Sequence, residues 1–125
     1  MNLLYGAQLM ASVQRVLLVE DEPLIAMMVE DFLDVLGHQV AGSADDVAGA
    51  LALVDAGGID VAILDVNLRG GEKSWPIADA LADRGIGYVL ATGGGDDGIP
   101  DRHRDAPRLL KPFTIEGVEQ ALATA

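Results

Sequence analysis

The residues Val61-Ala62-Ile63-Leu64-Asp65-Val66-Asn67-Leu68 decide the fold of this chain. They form an apolar run that reaches a carboxylate, and glycines flank the run at Gly57-Gly58 and Gly70-Gly71. An apolar run between turn residues is typical of a buried β-strand, which we expect over 59–64. In open α/β sheets, ligands bind where the strands reach their carboxyl ends. Asp65 is therefore predicted to stand at a functional edge of a sheet.

Strand and helix patterns alternate on both sides of this run. Further apolar runs predict strands at Arg15–Val19, 38–42, Gly87–Thr92 and Arg108–Leu110. Helical periodicity predicts four helices, from Pro23 to about Leu36, from Asp45 or Asp46 to about Val54, from Ser74 to near Gly85, and after Thr114. Ser74 and Thr114 are candidates for N-caps. This alternation predicts an α/β fold, a doubly wound five-stranded parallel sheet with helices on both faces.

The stretch between the last two strands breaks the alternation. Residues 93–107 read GGGDDGIPDRHRDAP, with three consecutive glycines, two prolines and almost no apolar periodicity. A fourth helix here is expected to be short, irregular or mobile. His38 and His103 have no partner at metal-ligand spacing, and both are expected at the surface.

Composition narrows the function classes. The chain has 125 residues, enough for one domain, and a net charge of -12 with only 8 Lys+Arg argues against binding to nucleic acids or anionic membranes. The absence of Cys excludes disulfides and thiolate chemistry and fits a cytoplasmic location. Residues 1–13 lack a basic n-region, so we interpret them as an N-terminal extension before a domain at 14–125. Either Met10 is the true start and the residues before it are an added extension, or the stretch forms a short helix that packs on a neighbour.

Five polar side chains follow the predicted strands: Glu20, Asp21, Asp65, Thr92 and Lys111. Because the carboxyl ends of parallel strands share one edge, these side chains are expected to converge in a shallow cleft. Three close carboxylates require a cation, or else their pKa values rise. Lys111 offsets one charge, and the remaining oxygen ligands suit Mg²⁺. A carboxylate beside such an ion can attack phosphorus and form an aspartyl phosphate.

Four motifs, VLLVEDEP, ILDVNL, LATG and LLKPF, occur in this order over about residues 14 to 123. Together they resemble the response-regulator receiver domain of two-component systems, which implies a flavodoxin-like sheet of order 2-1-3-4-5. The resemblance also implies a role for each matching residue. Asp65 corresponds to the phosphoacceptor, and Glu20 and Asp21 correspond to the acidic pair that binds Mg²⁺ with it. Asn67 corresponds to the residue whose backbone carbonyl completes the metal site. Thr92 corresponds to the switch hydroxyl, and Lys111 corresponds to the invariant Lys.

Two features differ from the usual receiver pattern. Arg108 stands three residues before the Lys, where receivers usually carry an aromatic switch residue, and the fourth-helix region is rich in glycine. These features resemble an atypical, typically single-domain group named for a Phe-Ala-Thr-Gly motif, although Leu90 replaces the Phe here.

The function that this resemblance implies is that of a single-domain response regulator. A sensor histidine kinase or histidine phosphotransfer protein would donate a phosphoryl group to Asp65, and signalling would pass to an unknown downstream protein. The domain would catalyse only its own phosphorylation and dephosphorylation and would not be an enzyme otherwise. The first helix, with Ile25, Met28, Val29 and Phe32, has more apolar residues than one buried stripe needs, so part of it is expected to bind a partner.

Two alternatives belong to other classes. A pseudo-receiver would act as an interaction module without phosphorylation, but such modules lose part of the acidic pair, the Thr or the Lys. A haloacid-dehalogenase-like phosphohydrolase would also use a nucleophilic Asp. That class places a second Asp two residues later as general acid, and Asn67 stands there instead.

Overall fold

A computed structural model describes residues 13–94 and 98–125. Five parallel strands form one sheet in the order β2-β1-β3-β4-β5. The strands are β1 (Arg15–Val19), β2 (Gln39–Ala44), β3 (Val61–Asp65), β4 (Gly87–Thr92) and β5 (Arg108–Leu110). The predicted sheet and its order are confirmed, and β2 reaches two residues further than expected. Most of the predicted extension at 1–13 lies outside the described residues.

Four α-helices connect and flank the strands in the described residues. They are α1 (Pro23–Val35), α2 (Val47–Ala56), α3 (Trp75–Asp83) and α4 (Ile115–Thr124). Two N-caps use side chains as the sequence predicts, because Asp46 accepts a hydrogen bond from Gly49 N and Thr114 accepts one from Gly117 N. No helix among the described residues is long and apolar enough to cross a membrane.

The expected capping role of Ser74 is wrong in one respect. Ser74 precedes α3, but its side chain makes no capping hydrogen bond and is fully buried. Its backbone carbonyl instead accepts hydrogen bonds from Ile77 N and Ala78 N. Pro76 lies in the first turn of the helix, where its fixed φ suits the helical backbone.

The core occupies both faces of the sheet, which explains the continuous apolar runs of the central strands. On one face Val16 and Leu18 of β1 pack with residues of α1 and α4, and on the other Leu17 and Val19 pack with residues of α2 and α3. Every residue of β3 is buried, including Asp65 at its end. Because β3 ends at Asp65, this buried strand carries a carboxylate to the edge of the sheet.

The segment between β4 and β5 contains only a 3₁₀ turn, Asp101–His103, in its described part. The prediction of a short or irregular fourth helix is thus confirmed for residues 98–107, while 95–97 lie outside the described residues.

The prediction that His103 lies at the surface is wrong. Its side chain is buried between elements that precede it in sequence, and only 2% of the residue is exposed. Its Nε2 lies 2.8 Å from Asp79 Oδ1, and its Nδ1 is hydrogen-bonded to the Tyr88 hydroxyl. Because both ring nitrogens have partners, the polar ring is buried without an unsatisfied group.

Candidate functional site

The carboxyl edge of the sheet brings the predicted site residues together. Glu20 and Asp21 follow β1, whereas Asp65 ends β3 and Thr92 ends β4. The strand register aligns these positions, since Asp65 pairs with Ala91 in the sheet and Glu20 N donates to Ala44 O. Lys111 follows β5, and its backbone N donates to Thr92 O at 2.9 Å.

Three carboxylates form the centre of the site. Glu20, Asp21 and Asp65 each offer an oxygen, and these oxygens lie within 4.8 Å of one another. Glu20 is 4% exposed and Asp65 is 5% exposed, whereas Asp21 is only half-buried. The cluster therefore places two nearly buried acids beside a third that reaches solvent.

Lys111 is the cation that contacts this cluster most closely among the described residues. Its Nζ donates to Asp65 Oδ2 at 2.9 Å and lies 3.8 Å from Glu20 Oε1. Burial lowers the pKa of Lys111, but the hydrogen bond to Asp65 and the charges of both acids outweigh burial and leave the pKa raised. Lys111 is therefore charged at neutral pH, and it neutralises one of the three carboxylates.

Glu20 is the least compensated member of the cluster. Burial raises its pKa to about 7, and the neighbouring Asp65 adds to this effect. A hydrogen bond from Glu22 N to Glu20 Oε2 and the charge of Lys111 act in the opposite direction but are weaker than burial. The other oxygen, Oε1, is buried and has no hydrogen-bond partner among the described residues.

An orphaned buried carboxylate oxygen within a set of oxygen donors fits a hard divalent cation. Mg²⁺ takes one or two carboxylates and keeps several waters, which suits a site that is open at Asp21. Glu20, Asp21 and Asp65 are the residues that would hold it.

Thr92 lies at this edge, and its hydroxyl bonds to the following loop. Thr92 Oγ1 accepts a hydrogen bond from Gly94 N at 3.1 Å, and the residue is only 5% exposed. The switch role expected for this hydroxyl stays a prediction.

Asn67 follows β3 by two residues and is exposed. It forms an isolated antiparallel bridge with Lys73, and its Oδ1 accepts a hydrogen bond from Lys73 Nζ. The role expected for its backbone carbonyl stays a prediction.

Sequence reasoning missed Arg69. This residue begins the 3₁₀ turn Arg69–Gly71, and its Nη2 donates to the carbonyl of Asp21 at 2.9 Å. The contact links the loop after β3 to the loop after β1. Nothing in the sequence signals it, because the two residues are far apart in sequence and the contact uses a backbone oxygen.

Comparison with known proteins agrees with this geometry. The family model described as the response regulator receiver domain matches residues 16–72. The solution structure of SdrG from Sphingomonas melonis Fr1 is 63% identical with a TM-score of 0.81, over 90% of this chain and 96% of that chain. This chain belongs to the response-regulator receiver domain family.

Two further solved structures are similar to this receiver domain. The BeF3-activated conformation of SdrG from Pseudomonas melonis Fr1 is 64% identical with a TM-score of 0.76, over 88% of this chain and 93% of that chain. The receiver domain of PhyR from Erythrobacter litoralis is 27% identical with a TM-score of 0.78, over 89% of this chain and 88% of that chain. A comparison with curated proteins found no match.

Proposed function

We propose that this receiver domain is a phosphorylation switch of a two-component system, which accepts a phosphoryl group on Asp65 in a Mg²⁺-dependent reaction. The observation that carries the proposal is the contact of Lys111 with Asp65 inside the carboxylate cluster. Receiver domains generally bind Mg²⁺ at an acidic pocket, and they interact with kinases or phosphotransfer proteins. We expect a cytoplasmic protein, with a histidine kinase or histidine phosphotransfer protein as donor.

In the transfer step a carboxylate oxygen of Asp65 attacks the phosphorus of a phosphohistidine. The new O–P bond forms while the P–N bond breaks, and its electron pair returns to the imidazole, which takes up a proton. When bound, Mg²⁺ would reduce the repulsion between the carboxylates and the incoming phosphoryl oxygens. In the later hydrolysis a water attacks the phosphorus, which releases inorganic phosphate and restores the carboxylate.

The residues around Asp65 have separate tasks in this reaction. Lys111 holds one carboxylate oxygen of Asp65 at 2.9 Å and supplies a positive charge to phosphoryl oxygens that arrive there. Thr92 donates its hydroxyl to a phosphoryl oxygen, and this movement removes the acceptor from Gly94 N. Glu20, Asp21 and Asp65 would hold the metal, and the backbone carbonyl of Asn67 would complete its ligands.

The surface for the phosphoryl donor is proposed at the start of α1. Most of the apolar residues expected there are turned inward, since Val29 is buried while Ile25, Met28 and Phe32 pack against the core. The exposed apolar side chains of this helix are Leu24, Met27 and Val35, with 80%, 58% and 74% exposed. Leu24 and Met27 lie in the first turns of α1, which directly follows the acidic loop after β1, and we propose that a donor histidine approaches Asp65 from there.

Intact mass after incubation with acetyl phosphate tests the acceptor. We expect one phosphoryl adduct with Mg²⁺, none without it, and none in Asp65→Asn. An adduct that persists in Asp65→Asn would contradict the assignment. If neither acetyl phosphate nor a candidate kinase gives an adduct, the chain acts as a phosphorylation-independent module instead.

The donor surface is tested by comparing two donors on one variant. Combined Leu24→Ala and Met27→Ala should slow transfer from a phosphorylated kinase at least tenfold and leave the reaction with acetyl phosphate unchanged. Val35→Ala, at the far end of the same helix, is the matched control. Equal slowing with both donors would show that the substitutions damage the site and not a docking surface.

A further inference from the structure

A buried cluster around His103 fixes the segment before β5 to the rest of the domain. His103 lies in the 3₁₀ turn Asp101–His103, while its partners lie in α3 and β4. Its ring stacks on Trp75 with centroids 5.9 Å apart and planes 17° apart, and it meets Tyr88 edge-on at 5.5 Å. The phosphoryl-transfer reaction uses none of these side chains.

The hydrogen bonds of the cluster have one consistent direction. The hydrogen bond from Arg102 lowers the pKa of Asp79, more than burial raises it, so Asp79 is ionised and only accepts. His103 Nε2 therefore donates to Asp79 at 2.8 Å. In a neutral imidazole the other nitrogen accepts, and the Tyr88 hydroxyl then donates to Nδ1. Tyr88 thus donates to His103 and His103 donates to Asp79, so both ring nitrogens have a hydrogen-bond partner.

Neighbouring residues strengthen this attachment. Ile99 and Ala106 pack against the apolar core on the α2 and α3 face of the sheet. Backbone amides of the segment are also bonded, since Arg104 N donates to Asp101 O and Ala106 N donates to His103 O. The segment 99–107 is therefore attached through side chains and backbone amides to the rest of the domain. The amide of Gly94, by contrast, is bonded to the hydroxyl of Thr92, at 3.1 Å.

We propose that His103 is a positioning residue that anchors 99–107 to α3 and β4, so that the conformational response to phosphorylation of Asp65 ends before His103. The inference rests on the proposed function, because Thr92 is the residue that would transmit the change. Movement of the Thr92 hydroxyl releases Gly94 N, but the contacts of His103 remain. A partner that distinguishes the two states must then contact the edge near Thr92 and not the surface formed by 99–107.

Backbone amide exchange tests this anchor in the full chain. BeF3⁻ with Mg²⁺ serves as the phosphoryl mimic, and Trp75 is a second probe because it is the only Trp in the chain. In the wild type we expect the Gly94 amide resonance to shift on addition of BeF3⁻. Exchange at Arg104 and Ala106, and the emission of Trp75, should change less than twofold.

Variants separate the anchor from the rest of the segment. His103→Gln should speed exchange at Ala106 at least tenfold and make it respond to BeF3⁻. Tyr88→Phe, which removes only one hydroxyl, should give a smaller increase in the same direction and covers the case in which His103→Gln does not fold. Arg104→Gln is the matched control, because its side chain is exposed and pairs with Asp101.

Two results would overturn the anchor. One is a wild type in which BeF3⁻ changes exchange at Ala106 more than threefold, and the other is a His103→Gln variant that matches Arg104→Gln. Failure of the proposed function has a different signature, which is the absence of a Mg²⁺-dependent adduct on Asp65 by intact mass. Without an adduct, the statement that the response to phosphorylation ends before His103 would fall. Amide exchange at Ala106 in His103→Gln and Arg104→Gln would still decide whether His103 anchors the segment 99–107.

Discussion

Replacing Glu20 by Gln should stabilise the metal-free protein, and the gain should depend on pH. Burial raises the pKa of Glu20 to about 7 in the folded protein, from 4.5 in a model compound. The folded state therefore holds this proton more tightly than the unfolded chain does. As a consequence the wild type loses stability as the pH rises from about 4.5 through 7, because ionising the buried carboxyl costs free energy.

The size of the effect follows from linkage. A pKa that rises from 4.5 to about 7 corresponds to at most about 3 kcal/mol at pH 8, because solvent at the open side of the site screens part of the charge. Gln resembles the protonated carboxyl in shape, and its carbonyl oxygen can still accept from Glu22 N, so the variant avoids this cost. We expect the two proteins to unfold with similar free energies near pH 5, and the variant to be more stable at pH 8. In a domain of this size the upper bound corresponds to roughly 10 °C in melting temperature.

Urea unfolding in the presence of a chelator, at several pH values from 5 to 8, measures this difference. The matched control is Glu22→Gln, which removes an exposed charge two residues away. Added Mg²⁺ should stabilise the wild type and the control, since a cation that binds only the folded state shifts the equilibrium by mass action. Glu20→Gln should gain much less from Mg²⁺, because it lacks a ligand.

Parallel stability curves for the wild type and Glu20→Gln between pH 5 and 8 would refute this reasoning. Such curves would mean that other groups compensate the charge of Glu20 in the folded protein. A gain from Mg²⁺ as large in Glu20→Gln as in the wild type would refute the metal assignment separately.

Three other substitutions have defined outcomes. Lys111→Met should slow adduct formation at Asp65 at least tenfold in an intact-mass time course, because it removes the cation that contacts the acceptor at 2.9 Å; an unchanged rate would contradict its role. Thr92→Val should still accept a phosphoryl group, but its Gly94 amide should no longer shift with BeF3⁻ in NMR spectra. Ser74→Ala should leave the free energy of unfolding in urea unchanged or raise it by about 1 kcal/mol. The reason is that the buried Ser74 Oγ has no partner among the described residues, so its desolvation is uncompensated. A variant that is less stable than the wild type by more than about 1 kcal/mol would mean that bound water satisfies the hydroxyl.

The sequence predicted the arrangement of the site because chain direction alone determines it. Glu20, Asp65, Thr92 and Lys111 each follow an apolar run, and parallel strands place their carboxyl ends at one edge. The exact side-chain partners were not needed for that prediction. The fold was predictable for the same reason, since β1 and β3 are apolar on both faces and require helices on each side.

The failures involve side chains whose surroundings are set by distant parts of the chain. His103 is a polar residue in a glycine-rich stretch, and nothing near it in sequence indicates that Asp79 and Tyr88 supply partners for both ring nitrogens. The width of the buried stripe of α1 could not be predicted either, because helical spacing locates an apolar stripe but does not set how many of its residues pack against the core. Arg69 was missed because its acceptor is a backbone oxygen 48 residues away.

The electrostatics of the cluster are consistent with a site built for function and not for stability. Glu20 and Asp65 are nearly buried, yet Lys111 neutralises only one charge and leaves Glu20 Oε1 without a hydrogen bond. A protein selected for stability alone would replace such a group by an apolar or neutral side chain. Retaining the carboxylate makes physical sense if a cation binds there and relieves the repulsion. The arrangement that lowers the stability of the metal-free protein would then contribute affinity for the metal. The stability of Glu20→Gln therefore tests the cost of this arrangement, and its response to Mg²⁺ tests the function that justifies the cost.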